Sequence, residues 1–151
     1  MATNPGGYYP PVGFHFKVEF LGIGNGNDSR FQSVGGLTVE YDTETFKEGG
    51  ENRFEHKLPV RTKYPDLSLK RGMLVDSLVI DWCLAAFQNQ VFLPVDINVS
   101  LLNEQHMPLK VWNVKNAWPR KWSVSDLNAQ DNALVIETLE LTYQFFTVIN
   151  I

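Results

Sequence analysis

Cysteine is almost missing from this chain. Cys83 stands alone among 151 residues, which excludes an intramolecular disulfide and a zinc site built on cysteines. Methionine and histidine are sparse, at three each. Charge of one sign is also scarce. Thirteen basic and 17 acidic residues leave a formal net charge of −4, with no basic field of the kind that grips phosphate backbones, so no specific nucleic-acid binding is expected. No apolar run approaches the roughly 20 residues that span a bilayer, so no membrane insertion is expected. The opening Met1-Ala2-Thr3-Asn4-Pro5-Gly6-Gly7 lacks the basic start and apolar segment of a secretory signal. Synthesis and folding in the cytoplasm are therefore expected.

What is present is aromatic. Ten Phe, five Tyr and four Trp sit in a chain that is 44% apolar and 20% charged, a globular balance. The length suits one core, so a single domain over 1–151 is expected.

Strict alternation dominates. Phe14, Phe16, Val18 and Phe20 alternate with His15, Lys17 and Glu19, the mark of a strand with one buried face. Residues 1–13, with three Pro and three Gly, read as an extended arm before it. Gly22 to Asp28 reads as a turn, Phe31 to Val34 as a short strand, and Gly35-Gly36 as a bend or bulge. Leu37, Val39 and Tyr41 resume the alternation. One helix is expected over about residues 76–90, with Asp76 or Ser77 as its cap and Leu78, Trp82, Ala85 and Ala86 on one face. Val95 to Leu101 and Leu109 to Ala117 read as a hairpin turning at Asn103-Glu104-Gln105-His106. The stretch from Ala133 to Val148 has no Gly or Pro. As one strand it would reach roughly 50 Å, beyond the ~38 Å width of a globule of this size. It must bend sharply between two sheets or outrun its domain, and an overrunning strand leaves edges that another chain can pair with.

Residues 42–66 stand apart. They hold 11 of the chain's 30 charges in 25 positions. A structureless segment of this length is improbable in a compact domain, so a projecting hairpin turning at Glu48-Gly49-Gly50-Glu51 is expected. Such mixed charge suits contact with a partner, and a plain exposed loop is the simpler alternative.

No catalytic constellation emerges. His15, His56 and His106 fall on three separate elements, with no ligand-spaced companion, so no metal, cofactor or catalytic residue is assigned. Cys83 sits inside the apolar helix and reads as a small hydrophobe. Gly22-Ile23-Gly24-Asn25-Gly26-Asn27 departs from the dinucleotide fingerprint, and no phosphate loop or nucleophile elbow occurs. Glu137 and Glu140, three apart on a strand, point to opposite faces and form no dyad. Lys70-Arg71 could meet an anion near the helix entry, but a surface or interface role is the stronger reading. Trp82 reads as core. Trp112, Trp118 and Trp122 could stack sugars or bases, although corner or interface packing outweighs that use.

Several separated motifs then align with a known family. The chain resembles the inner-tube proteins of contractile injection systems and phage tails, including those of antifeeding prophages and Photorhabdus virulence cassettes. The likeness runs through Phe14-His15-Phe16-Lys17-Val18, Phe31-Gln32-Ser33-Val34-Gly35-Gly36-Leu37 and Glu48-Gly49-Gly50-Glu51-Asn52. It continues through Leu69-Lys70-Arg71-Gly72, Trp112 to Pro119 and Glu137 to Tyr143, and covers about residues 10–149. The resemblance implies a mainly β fold of two packed antiparallel sheets, a sandwich or barrel flanked by one helix. It implies a homo-hexameric ring, stacking on neighbouring rings, a spike or hub partner, and a surrounding sheath or baseplate. The particle would be assembled in the bacterial cytoplasm and would act as a phage tail or an injection device. It further implies no enzymatic activity. Interface positions expected on this basis are Tyr8, Tyr9, Phe46, Glu48, Glu51, Arg53, Phe54, His56, Arg61, Lys63, Lys70 and Arg71. The Tyr8-Tyr9-Pro10-Pro11 arm, the segment from Gly49 to Phe54 and the stretch from Trp118 to Asp126 resemble tube initiators, which join the spike hub to the first tube layer, more than plain tube subunits. The competing expectation is a monomeric β-sandwich that binds a ligand through Trp112, Trp118 and Trp122.

Overall fold

The structure is a computed structural model in which residues 13, 15–24, 28–46, 49–50 and 56–150 are described. Among the described residues nine strands and one helix follow in the order β1 (Phe16–Phe20), β2 (Ser33–Gly35), β3 (Glu40–Phe46), β4 (His56–Lys63), β5 (Leu67–Gly72), α1 (Leu78–Asn89), β6 (Val95–Leu102), β7 (Pro108–Val124), β8 (Ile136–Thr142) and β9 (Phe145–Asn150). Every pairing among them is antiparallel. The fold is mainly β, with two main antiparallel sheets that share β7, a separate β3–β4 pair and one helix, in keeping with what the resemblance implies.

β7 belongs to both sheets. Its first half pairs with β6 on one edge and β9 on the other. Its second half pairs with β8, which leads on to β5 and β2. A 17-residue strand would be roughly 56 Å long if straight, so it has to bend. The bends are visible as register slips, one opposite Val95 to Ile97 and one between Pro119 and Lys121. At the first, Asn116 takes a left-handed φ of 53°, which Asn tolerates better than most residues. Its backbone N–H donates to Asp96 Oδ1 at 3.0 Å. The sequence predicts a strand ending near Ala117, but the strand continues through Pro119 to Val124. Proline is accommodated because, among the described residues, this half of β7 has a partner strand on one edge only, so its missing N–H can face the other side.

The terminal stretch resolves into two strands. β8 stops at Thr142, and β9 restarts at Phe145 along the same edge of β7. The corner at Tyr143-Gln144 sits beside the β7 corner. Gln144 donates its N–H to the Lys115 carbonyl at 3.0 Å, and Asn116 Nδ2 donates to Gln144 Oε1 at 2.8 Å. The sharp bend is therefore what occurs, and the 50 Å overrun does not.

One core joins the sheets and the helix. Val18, Ile97, Val99 and Val114 come from one sheet, Leu67, Leu69, Leu139 and Leu141 from the other, and Val79, Trp82 and Cys83 from α1. Each fully buried aliphatic side chain contributes about 1.5–3 kcal/mol of transfer free energy. Ser77 caps α1 by accepting the Ile80 N–H at 3.2 Å, and Gln90 closes it in the left-handed region at φ 55°. The cap keeps the helix entry over the core, and Trp82 anchors its far side by donating Nε1–H to the Leu93 carbonyl at 2.6 Å.

Candidate assembly interface

β3 and β4 form a two-stranded sheet of their own, paired with nothing else among the described residues. All side chains of β3 are exposed, as are those of β4 apart from His56. A two-stranded ribbon open to water on both faces is marginal by itself. The register sets Glu40 opposite Lys63, Asp42 opposite Arg61, Glu44 opposite Leu58 and Phe46 opposite His56, with one slip after Asp42. Arg61 Nε approaches Asp42 Oδ2 at 4.0 Å, a weak surface pair. Phe46 and His56 are in loose contact, with ring centroids 6.4 Å apart. The ribbon is rooted by Tyr64, whose ring meets Tyr143 and Phe146 edge-on at 5.9 and 5.1 Å. Burial pushes the Tyr143 phenol up to about 12, helped by Tyr64 and Asp66 nearby.

Of the expected interface positions, Phe46, His56, Arg61 and Lys63 come together on this ribbon. Lys70 is exposed on β5. Tyr8, Tyr9, Glu48, Glu51, Arg53 and Phe54 lie outside the described residues. Arg71 is a correction. It is only 2% exposed, so it offers no surface to a neighbouring subunit. Its Nε donates to Glu137 Oε1 at 2.8 Å, Nη1 to Asp28 Oδ1 at 3.2 Å and Nη2 to Ser77 Oγ at 2.9 Å. The guanidinium also lies 4.7 Å from the centre of the Phe31 ring. Ser77 donates its own hydroxyl to Asp28, while Trp122 Nε1 donates to the other Glu137 oxygen at 3.3 Å. Period two on Leu67, Leu69 and Arg71 places all three on the inward face. The basic dipeptide draws the eye to the surface, whereas the strand parity points Arg71 inward.

Exposed apolar residues add to the candidate surface. Tyr41, Leu58 and Val60 project from the ribbon. Phe145, Val148 and Ile149 are exposed on β9, which pairs with β7 alone and has no strand on its other edge among the described residues. No local pattern singles these side chains out: Val148 and Ile149 are neighbours on β9, and every position of β3 is exposed whatever its polarity.

The tryptophans serve separate surroundings. Trp112 lines a cleft of about 270 Å³ with Phe16, Val34 and Leu37. Trp118 meets Phe92 edge-on at 5.8 Å, and Trp122 reaches Glu137. Cys83 is fully buried. Burial pushes its thiol up to about 12, with the Glu137 charge adding to the effect and Arg71 opposing it. His15 and His106, distant in sequence, have ring centroids 5.2 Å apart. Among the described residues no three His, Cys, Asp or Glu side chains gather as a metal site, and no helix is long and apolar enough to cross a membrane.

The family described as T4-like virus tail tube protein gp19 matches residues 12–147. Among solved structures, the chain is similar to one in the anti-feeding prophage (AFP) baseplate, 6-fold symmetrised, at 29% identity and TM-score 0.85, covering 94% of this chain and 97% of that one. It is similar to a chain of the PVC sheath-tube complex in the extended state, an extracellular contractile injection system, at 25% identity and TM-score 0.81, covering 100% of both. A chain of the AFP tube-terminating cap is 28% identical with TM-score 0.80, covering 100% of this chain and 95% of that one. No curated protein is a significant sequence match. With nearly the whole length matched by one family, and by chains from baseplate, sheath-tube and cap structures alike, the chain belongs to the tail tube protein family of contractile injection systems and phage tails.

Proposed function

We propose that this chain is a non-enzymatic, ring-forming subunit of the inner tube of a contractile injection system or phage tail, and that its place is the tube initiator, between spike hub and first tube layer. On this reading residues 1–151 act as one domain. Six copies close into a ring, rings stack, and a sheath or baseplate surrounds them. The particle is assembled in the bacterial cytoplasm. The observation that carries the reading is the β3–β4 ribbon, which is exposed on both faces and unpaired on both edges among the described residues. Such an element is stabilised when a neighbour covers it.

Two surfaces have separate tasks in the proposal. The open edge of β9 serves ring closure. The ribbon tip, with Phe46, Glu48, Glu51, Arg53, Phe54 and His56, serves stacking together with Tyr8 and Tyr9 of the arm. Arg61, Lys63 and Lys70 flank it. Similarity to a baseplate chain from a 6-fold symmetrised reconstruction supports both sixfold closure and the initiator position. The full-length similarity to a chain of a sheath-tube complex favours the main tube as the second reading.

The test replaces residues 43–63 by a short Gly-Ser linker and images the purified protein by electron microscopy. Wild type forms rings that stack or dock on the hub, and the variant does not. Variant rings that still stack and dock overturn the assignment of the ribbon. Copy number in the particle separates initiator from main tube, since an initiator contributes one ring and a main tube subunit contributes many.

A further inference from the structure

Two of the chain's three histidines meet. His15 and His106 come from opposite ends of the sequence, and their ring centres lie 5.2 Å apart with a tilt of 49°. His15 is half-buried and His106 is exposed, so an ion from solvent can reach the pair. We propose that these two imidazoles bind one divalent transition-metal ion of the zinc, nickel or copper class. The ion clamps the start of the edge strand β1 to the turn between β6 and β7.

Hydrogen-bonded backbone delivers both rings. The His15 carbonyl accepts the Leu102 N–H at 2.8 Å, where β1 begins against the end of β6. β1 is the last strand of its sheet, with β6 as its one partner among the described residues. His106 sits in the β6–β7 turn at φ 60°, a left-handed conformation in which histidine is found more often than most residues. Asn103 organises that turn. Its N–H donates to the Met107 carbonyl and its carbonyl accepts the His106 N–H, both at 2.9 Å. Its Oδ1 accepts the N–H of Gln105 at 2.9 Å and of Met107 at 3.0 Å. The turn so closed carries His106 back toward the start of β1.

The chemistry of the pair selects the ion. Imidazole nitrogen suits zinc, nickel and copper, whereas magnesium and calcium take oxygen ligands. Two imidazoles on one tetrahedral ion, each with its nitrogen about 2.0–2.1 Å from the metal, set their ring centres about 5 Å apart. His15 and His106 already have that spacing, and their tilt is not that of a face-to-face stack. Each ring binds through one nitrogen and keeps the other for a hydrogen bond, the usual arrangement of a ligating histidine. Nearby charge does not oppose a cation. Lys17, next on the same face of β1, is engaged by Glu19 at 3.0 Å, and Glu104 lies in the same turn as His106. No third His, Cys, Asp or Glu joins the pair among the described residues. Water therefore fills the remaining positions, and binding is weaker than at a closed four-ligand centre.

The test uses the full chain purified without a polyhistidine tag, which would itself bind the ion. Zinc chloride and nickel chloride are titrated in by calorimetry at about pH 7.5, where imidazole is mostly neutral, with magnesium chloride as the contrasting ion. Wild type should take up one zinc or nickel ion per chain and no magnesium, and zinc should raise its Tm because the ion binds the folded state. His15→Asn and His106→Gly should each weaken zinc binding by at least about tenfold and remove the rise in Tm. Glycine adopts the left-handed φ of residue 106 without strain, so His106→Gly keeps the turn and deletes only the ligand. If His15→Asn fails to fold, His106→Gly decides alone. Absence of zinc binding by wild type overturns the site. So does binding by a folded variant with the affinity and stoichiometry of wild type, or equal uptake of magnesium. None of these readouts depends on ring formation, so their failure would leave the proposed function standing.

Discussion

Arg71 and Glu137 meet inside the protein, Nε to Oε1 at 2.8 Å, with 2% and 1% of their side chains exposed. Asp28 adds a second carboxylate on the same guanidinium at 3.2 Å and is itself 3% exposed. The cluster ties β5 to β8, to the segment after β1 and, through Ser77, to the first turn of α1. Deleting one member leaves charge stranded without solvent, which costs several kcal/mol. Arg71→Ala should therefore lower unfolding free energy by about 3–5 kcal/mol, or prevent folding. Arg71→Lys should also be costly, because an ammonium cannot reproduce a planar fork reaching Glu137, Asp28 and Ser77. Urea unfolding of Arg71→Met, Glu137→Leu and the double variant completes a cycle. A coupling energy above about 1 kcal/mol is expected between them, and simple additivity would show the contact to be energetically idle.

The two adjacent glycines should behave differently. Gly36 has φ +91°, and a Cβ placed there would overlap the Asp66 carbonyl oxygen just ahead of β5. A Cβ on Gly35 would meet nothing within 4 Å, and Gly35 has no positive φ. Gly36→Ala should destabilise by roughly 3 kcal/mol or more, since backbone on both sides must move. Gly35→Ala should change stability by less than about 1 kcal/mol. Thermal unfolding of the pair checks this, and equal effects would contradict the close approach at Gly36.

Cys83 should be chemically silent in the folded chain. It has no exposed surface, and its thiol is pushed up to about 12. The thiolate is the reactive form, so at pH 8 a disulfide reagent such as DTNB should give no colour until denaturant is added, then one equivalent. Rapid native labelling would mean that α1 lifts readily from the sheets.

Acid should weaken the corner of β7 through Asp96. The Asn116 N–H holds its carboxyl below the ordinary value, with Lys115 at 3.3 Å helping and partial burial opposing. A depressed carboxylate contributes stability above its unfolded pKa, about 3.9, and loses it as pH falls through the lower folded value. Asp96→Asn should be less stable than wild type at pH 7 and should show a shallower fall in Tm between about pH 4 and pH 2. Identical pH profiles would remove Asp96 from the account.

Much of the fold is legible in local pattern. Alternation along Phe16 to Phe20, Val95 to Leu101 and Leu139 to Tyr143 marks strands, and the helix expected over 76–90 spans Leu78–Asn89. These features follow from side-chain periodicity, which a few neighbouring residues suffice to display. The exposed ribbon is foreshadowed by charge density around Gly49-Gly50, although half of the expected interface positions lie outside the described residues.

Tertiary structure decided what depends on partners far along the chain. Arg71 finds Asp28 and Glu137 at separations of 43 and 66 residues, so nothing beside it in sequence announces that its charge will be neutralised in the core. The bend at Tyr143-Gln144 likewise depends on the β7 corner at Lys115-Asn116, which supplies the hydrogen bonds that hold it. The sequence by itself determined which residues alternate, where the helix begins and which segment concentrates charge, because those are local properties of the chain. Which carboxylates meet Arg71 in the core, and where the long strand divides between two sheets, were settled only when distant strands paired. Pairing sets the register, and register decides which atoms a charge or a backbone group can reach.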